Sequence, residues 1–449
     1  MADRESLLPP ADPFSLGVPV SSLRAPTARR ACAWLPSVNP SVLLYVVLAG
    51  FASILFGYEN SVVASGVNDF MGSLASKDAA HQGLLKGALA LGATVACPFA
   101  GFLQDGLGRR ITLIISCVLY LGACAITATA APYPGGFAQL AAGRFCTGMV
   151  IGVFSSTVPM YIAELSPPAI RGALVTVNQV CVCTGILLGY LSSFLLSPSW
   201  RVEFAAATPL AVALIAAFVF VTPFSPRWLM TKGREGEARA ILLRLRDGDA
   251  AAVEEELRGM REAAEAAREA AAGGASKYAA LAQPHIRWAV AIGVIGAIMQ
   301  QWVGVNAVNG FAPNIFKSTG SSDAEAHLYT VYIGVAKLVF VVVALALMDR
   351  VGRKPLLLVG CAGMALSAAL LAASYQMANA SQLAVVALVL YMAFFEISLG
   401  PILWLLLSEL YPTNVKGVAM SIGSTATWCV GGGDWGGVQP RFPAAADSL

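Results

Sequence analysis

Charge is what this 449-residue chain has least of: Asp, Glu, Lys and Arg make up 12% of it, while 57% is hydrophobic. That is too few charges to clothe a soluble protein of this size, so lipid must be its main solvent. Histidine is also scarce, at three residues, and no cluster with metal-ligand spacing and no nucleotide-binding glycine loop is present. These absences leave little room for catalysis, so the chain is read as no enzyme and as needing no cofactor and no metal. The nine cysteines are an odd number, and most, such as Cys97, Cys117, Cys181, Cys183 and Cys361, fall in apolar stretches. They read as free thiols that behave as small apolar side chains.

What is abundant is apolar sequence in stretches of about 20 residues, each enough to cross a hydrocarbon core as a helix that satisfies its own backbone. Six run from Ser41 to Val67, Gly83 to Leu103, Ile111 to Ala131, Ala138 to Leu165, Ala173 to Leu196 and Val202 to Val221. Five more run from Trp288 to Phe316, Leu328 to Met348, Pro355 to Tyr375, Gln382 to Leu407 and Val415 to Val430. Residues 1–40 read as a disordered cytosolic tail rather than a cleavable signal. With that end inside, Arg109, Arg110, Arg171, Arg350, Arg353 and Lys416 all fall in cytoplasmic connections, as the positive-inside rule requires. The same bias explains the net charge of +3 without nucleic acid. The sequon at Asn379 would lie outside, on a motif too short to establish glycosylation.

Two motifs repeat. Asp105-Gly106-Leu107-Gly108-Arg109-Arg110 returns as Asp349-Arg350-Val351-Gly352-Arg353-Lys354, an offset of about 244 positions. Glu164 with Arg171 returns at nearly the same offset as Glu409 with Lys416. Two motifs in one order and in equivalent loops predict two parallel-repeat halves of six helices, the plan of the major facilitator superfamily. The halves are expected at residues 41–224 and 285–430. A charged helical linker at 225–284 separates them, its Ala, Glu and Arg run stopped by Gly273-Gly274. It reads as a solvated surface helix rather than a partner site. Shifting the sixth span by the same offset carries its counterpart past Leu449, so a twelfth helix is expected to be missing and the eleventh shortened, with 431–449 a tail outside the pattern.

Polar side chains inside spans are costly and therefore functional candidates. Glu59 ends Leu55-Phe56-Gly57-Tyr58-Glu59, and Arg144 in the fourth span is its obvious partner. A buried carboxylate beside an arginine is a coupling device, because burial favours its protonated form and the cation its charged form. A purely structural ion pair is the alternative. Asn178-Gln179 and Gln300-Gln301-Trp302-Val303-Gly304-Val305-Asn306 supply amides that donate and accept, which suits hydroxyl-rich ligands, although buried amides also bond one another.

Taken together, these motifs resemble the sugar porter family across residues 41 to 428. The resemblance implies an all-α polytopic fold working by alternating access on a monosaccharide or polyol, with proton symport through Glu59 and Arg144, where the family usually has an aspartate at the Glu59 position. It implies sugar-hydroxyl ligands at Gln179, Gln300, Gln301 and Asn306, and apolar walls at Trp404 and Trp428. Gly400-Pro401 is expected to break the tenth helix at the cavity, and Glu396 matches an acidic position that faces sugar in some members. An inner gate is implied at Asp105, Arg109, Arg110, Glu164, Arg171 and Arg227, with Asp349, Arg350, Arg353, Glu409 and Lys416 in the second half.

Three departures stand out. Asn309-Gly310-Phe311 has one ring where the family has two aromatics, and Phe224 replaces the usual acid beside Arg227. Lys337 stands where relatives have an asparagine that contacts sugar; an ion pair with Glu396 is the first expectation, and an anionic substrate the sharper alternative. The partners expected are thus a small sugar, a proton and the bilayer, with no nucleic acid and no obligate protein partner, in the plasma membrane or an organellar one. Facilitated uniport, a non-transporting sugar sensor and an inactive short form are the rival readings.

Overall fold

In the computed structural model the described residues are 39–72, 79–272, 281, 283–374, 376–377, 381–411 and 415–437. Residues 1–38 and 438–449, Lys77 and the sequon at Asn379 lie outside them, as do the side chains of Asp349, Arg350, Glu409 and Lys416. The described residues hold helices and no strand. The first half runs α1 (Pro40–Met71), α2 (Ala79–Leu107), α3 (Arg109–Ala128), α4 (Phe137–Leu165), α5 (Arg171–Leu196), α6 (Trp200–Ala205) and α7 (Thr208–Phe220). Three short connecting helices follow, α8 (Pro226–Thr231), α9 (Glu235–Leu245) and α10 (Ala250–Ala272). Then come α11 (Pro284–Trp302), α12 (Val305–Ser318), α13 (Asp323–Val351), α14 (Arg353–Ser374), α15 (Ser381–Ile397), α16 (Leu399–Leu410) and α17 (Lys416–Gly437). Among the described residues, 10 helical segments are long and apolar enough to cross a membrane.

Local chemistry starts several of these helices. The Asn39 side chain accepts a hydrogen bond from the Ser41 N–H at 2.7 Å, with Pro40 in the first turn of α1, where its missing N–H costs nothing. Ser322 and Glu325 form a reciprocal capping box at the start of α13. The repeat appears in the backbone as well. Gly108 between α2 and α3 has φ 85° and ψ 155°, and Gly352 between α13 and α14 has φ 87° and ψ 165°, so each copy of the motif makes the same turn, one that only glycine adopts at ease.

Packing sorts the helices into inner and outer. In its most apolar window α4 is 83% buried, against 28% for α14. The outward faces carry large apolar side chains such as Phe220, Leu195, Leu358 and Leu366, a surface stable only against lipid. In the first half, α1 packs on α5 and α2 on α4 through glycine. A Cβ at Gly57 would run into the Val182 carbonyl and one at Gly185 into the Ile54 carbonyl; Gly92 and Gly148 face the carbonyls of Phe145 and Leu89 in the same way. Without a hydrophobic drive between helices in lipid, such backbone approach is what holds the crossing. The second half meets the first where α17 lies on α2 and α13 on α5.

Two spans are broken, the seventh where a continuous helix was expected and the tenth at a position shifted from the one expected. The seventh breaks between α11 and α12 at Val303-Gly304, where Gly304 takes φ 81°. The tenth breaks at Ser398, with φ −123° and ψ −96°, rather than at Gly400-Pro401. Proline excludes the carbonyl four residues before it, so the helix gives way on the N-terminal side of Pro401. Both breaks lie beside the central polar residues, as broken helices in transporters do. The eleventh span, expected to end near Val430, continues as helix through the glycine run to Gly437.

The connecting helices form a small core of their own. Trp228, Leu229, Leu242, Val253 and Leu257 are buried together, so this segment is more than the solvated surface helix expected. Around it, Arg239 meets Glu254 at 2.7 Å and Arg246 meets Glu256 at 3.1 Å. Arg261 hydrogen-bonds Glu235 and holds its carboxyl below the ordinary range. Arg246 also donates to the Leu165 carbonyl at 3.2 Å, which fastens the segment to the C-terminal end of α4, where a cation is favoured.

Candidate functional site

Glu59 sits on the buried face of α1, in the middle of the first half. Arg144 on α4 pairs with its Oε2 and donates from Nη2 to the Glu59 carbonyl at 3.0 Å. The Tyr120 hydroxyl on α3 donates to Oε1 at 2.7 Å, and Arg144 lies 5.2 Å from the Phe204 ring. Glu59 and Arg144 are 2% and 1% exposed, so the pair has no contact with solvent. Tyr120 and Phe204 went unnoticed in the sequence, where a tyrosine in a span carries no signal of its own.

A second polar cluster forms where the broken helices meet α5. Gln300 at the end of α11 donates to the Leu399 carbonyl at 2.9 Å and reaches the Gly400 carbonyl at 3.4 Å, taking up backbone acceptors beside the break at Ser398. Gln301 donates to Gln300 at 3.4 Å, and Asn306 donates to Gln301 at 2.6 Å. The three expected amides therefore form one hydrogen-bonded chain. Gln179 on α5 reaches Glu396 Oε2 at 3.4 Å, while its neighbour Asn178 accepts from Ser53 on α1 at 2.5 Å. Gln179, Pro401 and Trp404 line one small pocket together with Asn178, Thr176 and Pro159. Trp428 lies tilted against Phe56, with centroids 5.5 Å apart, and donates to Ser155 at 3.4 Å. A larger apolar groove of about 340 Å³ between Ile54, Leu188, Leu195 and Leu210 lacks the convergent polar groups of a ligand site.

Lys337 Nζ lies 2.7 Å from Glu396 Oε1, and both side chains are almost fully buried. Among the described residues there are thus two fully buried ion pairs within the spans, one in each half. The structure also holds an intramembrane cation that sequence reading passed over. Lys86 on α2, 1% exposed, donates to the Gly310 carbonyl at 2.9 Å and lies 3.9 Å from the Phe311 ring. Nearby, Asn68 donates to Asn314 at 2.8 Å and Gln82 to Asn68 at 2.5 Å. Tyr190 reaches the Asn309 carbonyl at 3.1 Å, so α12 is clasped from α1, α2 and α5. A charge in a span was the available signal for Lys86.

At the end of the bundle predicted to be cytoplasmic, Arg109 meets Glu164 at 2.9 Å and Asp105 at 3.8 Å. Ser225 donates to Glu164 at 2.5 Å. Arg110 donates to the carbonyls of Phe218 and Val219 at 2.7 and 2.5 Å and rests on the Phe224 ring at 4.8 Å. Phe224, which stands where the family usually has an acid, thus meets Arg110 through its ring face. Arg171 donates to the Ala163 carbonyl at 2.9 Å, in the last turn of α4, where backbone acceptors lack helical partners. Arg227 is half-buried in α8, and Arg353 is exposed at the first residue of α14.

Comparison with known proteins bears on the family and the fold. The family described as "Sugar (and other) transporter" matches residues 45–432. The chain is 32% identical over 418 residues to the arabinose-proton symporter of Bacillus subtilis, covering 91% of this chain and 86% of that one. It is also 32% identical to the glucose facilitated diffusion protein of Zymomonas mobilis, over 85% of this chain and 83% of that one. Among solved structures, the proton:xylose symporter XylE of Escherichia coli bound to 6-bromo-6-deoxy-D-glucose is 28% identical and superposes with a TM-score of 0.76, over 87% of this chain and 86% of that one. The chain belongs to the sugar transporter family of the major facilitator superfamily, and is an integral, multi-pass membrane protein.

Proposed function

We propose that the chain is a proton-coupled monosaccharide symporter that works by alternating access of its two halves. The observation that carries this reading is the buried Glu59, held by Arg144 and Tyr120 one helix away from α5 and its Gln179. A carboxylate that can exchange its arginine for a proton as the halves move couples the two equilibria. Gln179, Gln300, Gln301 and Asn306 serve as hydroxyl ligands, with Trp404 and Trp428 as the apolar walls for a sugar ring. Sugar entry replaces amide-to-amide bonds with amide-to-hydroxyl bonds, an exchange of like for like that keeps the buried groups satisfied. Three relatives named for arabinose, xylose and glucose support a neutral aldose as substrate.

The test is uptake of radiolabelled arabinose, xylose and glucose into transporter-deficient cells, with and without a protonophore. Accumulation above the external concentration that the protonophore abolishes is the expected result. Uptake that only equilibrates, with no response to the protonophore, would move the chain to facilitated diffusion, the reading favoured by its likeness to the Zymomonas mobilis protein.

The inner gate gives a second expected result. Glu164 accepts from both Arg109 and Ser225, so Glu164→Gln removes a charge that joins α4 to the start of α3 and to the residue that caps α8. The closed inner side loses stability and the inward-open population rises, weakening sugar binding from outside by about 5- to 10-fold. Labelling of a cysteine introduced at the inner mouth should speed up in parallel; unchanged labelling would remove Glu164 from the gate.

A further inference from the structure

We propose that Lys337 sets the charge selectivity of the central site: paired with Glu396, it makes the site accept uncharged sugars and reject sugar acids. This inference rests on the sugar-symporter reading above and concerns the choice of substrate by that same site.

The pair belongs to the amide cluster by position. Glu396 closes α15 two residues before the break at Ser398, and Gln300 binds the carbonyls just beyond that break. The second Glu396 oxygen takes Gln179 at 3.4 Å and lies over Gly400, where a Cβ would stand 2.8 Å from it. Gly400 therefore matters here for the room it gives this carboxylate. The remaining neighbours of Lys337 are soft: Met392 Sδ at 3.8 Å and the Phe395 ring at 5.3 Å. Its contact with Glu396 Oε1 at 2.7 Å is an ion pair without hydrogen-bond geometry, and a thioether and a ring are weak partners for its three donors.

A sugar hydroxyl can both donate to Glu396 and accept from Lys337, so a neutral polyol meets both members of the pair without disturbing their balance. A sugar acid cannot. Its carboxylate would compete with Glu396 for one cation, and the loser would be left as a buried unpaired anion in a medium where like charges repel far more strongly than in water. The pair thus rejects anions by repulsion while presenting a cation, a case of selectivity built from an unfavourable contact. The lysine by itself would favour the opposite substrate class, and its partner decides the matter.

The experiment is competition binding on the purified full-length protein in nanodiscs. Radiolabelled arabinose, xylose or glucose, whichever binds tightest, is displaced by the unlabelled neutral sugar or by glucuronate and galacturonate. The wild type should bind the uronates at least about 30-fold more weakly than the neutral sugar. Glu396→Gln, which leaves Lys337 as a lone cation, should narrow that ratio by about 10-fold or more. The double variant Lys337→Asn with Glu396→Gln has neither charge; it loses contacts to the neutral sugar and binds it more weakly, but should not gain uronate binding as Glu396→Gln does. If Glu396→Gln is not recovered folded, Lys337→Asn alone tests the inference with opposite sign, since a lone carboxylate should weaken uronate binding further. A wild type that binds uronates as well as neutral sugars, or single variants whose ratios do not move, would overturn the inference. A pair that merely ties α13 to α15 would lower the binding of both ligand classes together and leave the ratio unchanged. Loss of accumulation with the binding ratios intact would count against the symporter reading alone, and failure of the wild type to bind either class would overturn both.

Discussion

Glu59→Gln is expected to abolish accumulation of sugar against its gradient while leaving downhill exchange measurable. One proton moved per sugar through ~100 mV supplies about 2.3 kcal/mol. That free energy sustains a concentration ratio of about 50 across the membrane. Glutamine keeps the length and one acceptor for Tyr120 but takes no proton, so the ratio should fall to about one. The substitution also leaves Arg144 buried without its counter-ion, and breaking a buried pair costs about 3–5 kcal/mol, so lower yield is expected as well. Glu59→Asp separates the two effects. It restores the charge with a chain one methylene shorter, and should recover most of the accumulation even where stability is imperfect. Steady-state accumulation with and without a protonophore, together with counterflow at equal pH to show that the folded carrier still exchanges sugar, decides the question. Full accumulation by the glutamine variant would take Glu59 out of the coupling.

Gly148→Ala is expected to be among the costliest single-methyl changes in the first half. A Cβ there meets the Leu89 carbonyl of α2, which is backbone and cannot rotate away. The helices must separate, and the cost should lie at or above the top of the ~1–3 kcal/mol that overpacking usually exacts. The control is Gly122→Ala on α3, where an added Cβ meets nothing within 4 Å. Helix propensity alone should make that change neutral or stabilising by up to about 1 kcal/mol. Melting of the two purified variants in detergent, followed by size-exclusion chromatography, compares them directly. Equal melting temperatures would mean that α2 and α4 do not cross as described.

How much of this was legible beforehand differs by element. The paired motifs around Asp105 and Asp349 predicted the repeat, and Gly108 and Gly352 carry it into the backbone as one turn used twice. The motif Gly148-Met149-Val150-Ile151-Gly152, like Gly185 to Gly189, was also open to reading. Such spacing says that a helix approaches closely, but not which one. Gly304 in the seventh span was visible too, yet a glycine within an apolar run does not distinguish a tolerated residue from a break. The Phe224 substitution looked like the loss of a contact; only the position of the Arg110 guanidinium over the ring showed what replaced it.

The sequence by itself determined the solvent, the helical class, the repeat and the short set of polar residues in the spans, because apolar length, glycine at a turn and the cost of charge in lipid are local properties. The pairs Glu59 with Arg144 and Lys337 with Glu396 were already the first expectation, since a lone charge in lipid is costly; what else meets them was decided only by the tertiary structure. Glu59 and Arg144 lie 85 residues apart, and Lys337 and Glu396 are brought together from different helices. Tyr120 joined the first pair, and Lys86 closed on α12, through the crossing of helices whose order along the chain does not reveal their neighbours in space. The physical reason is that in lipid each helix satisfies its own backbone, so its pairing rests on side-chain fit and close glycine contact, neither of which can be read until the partner is known.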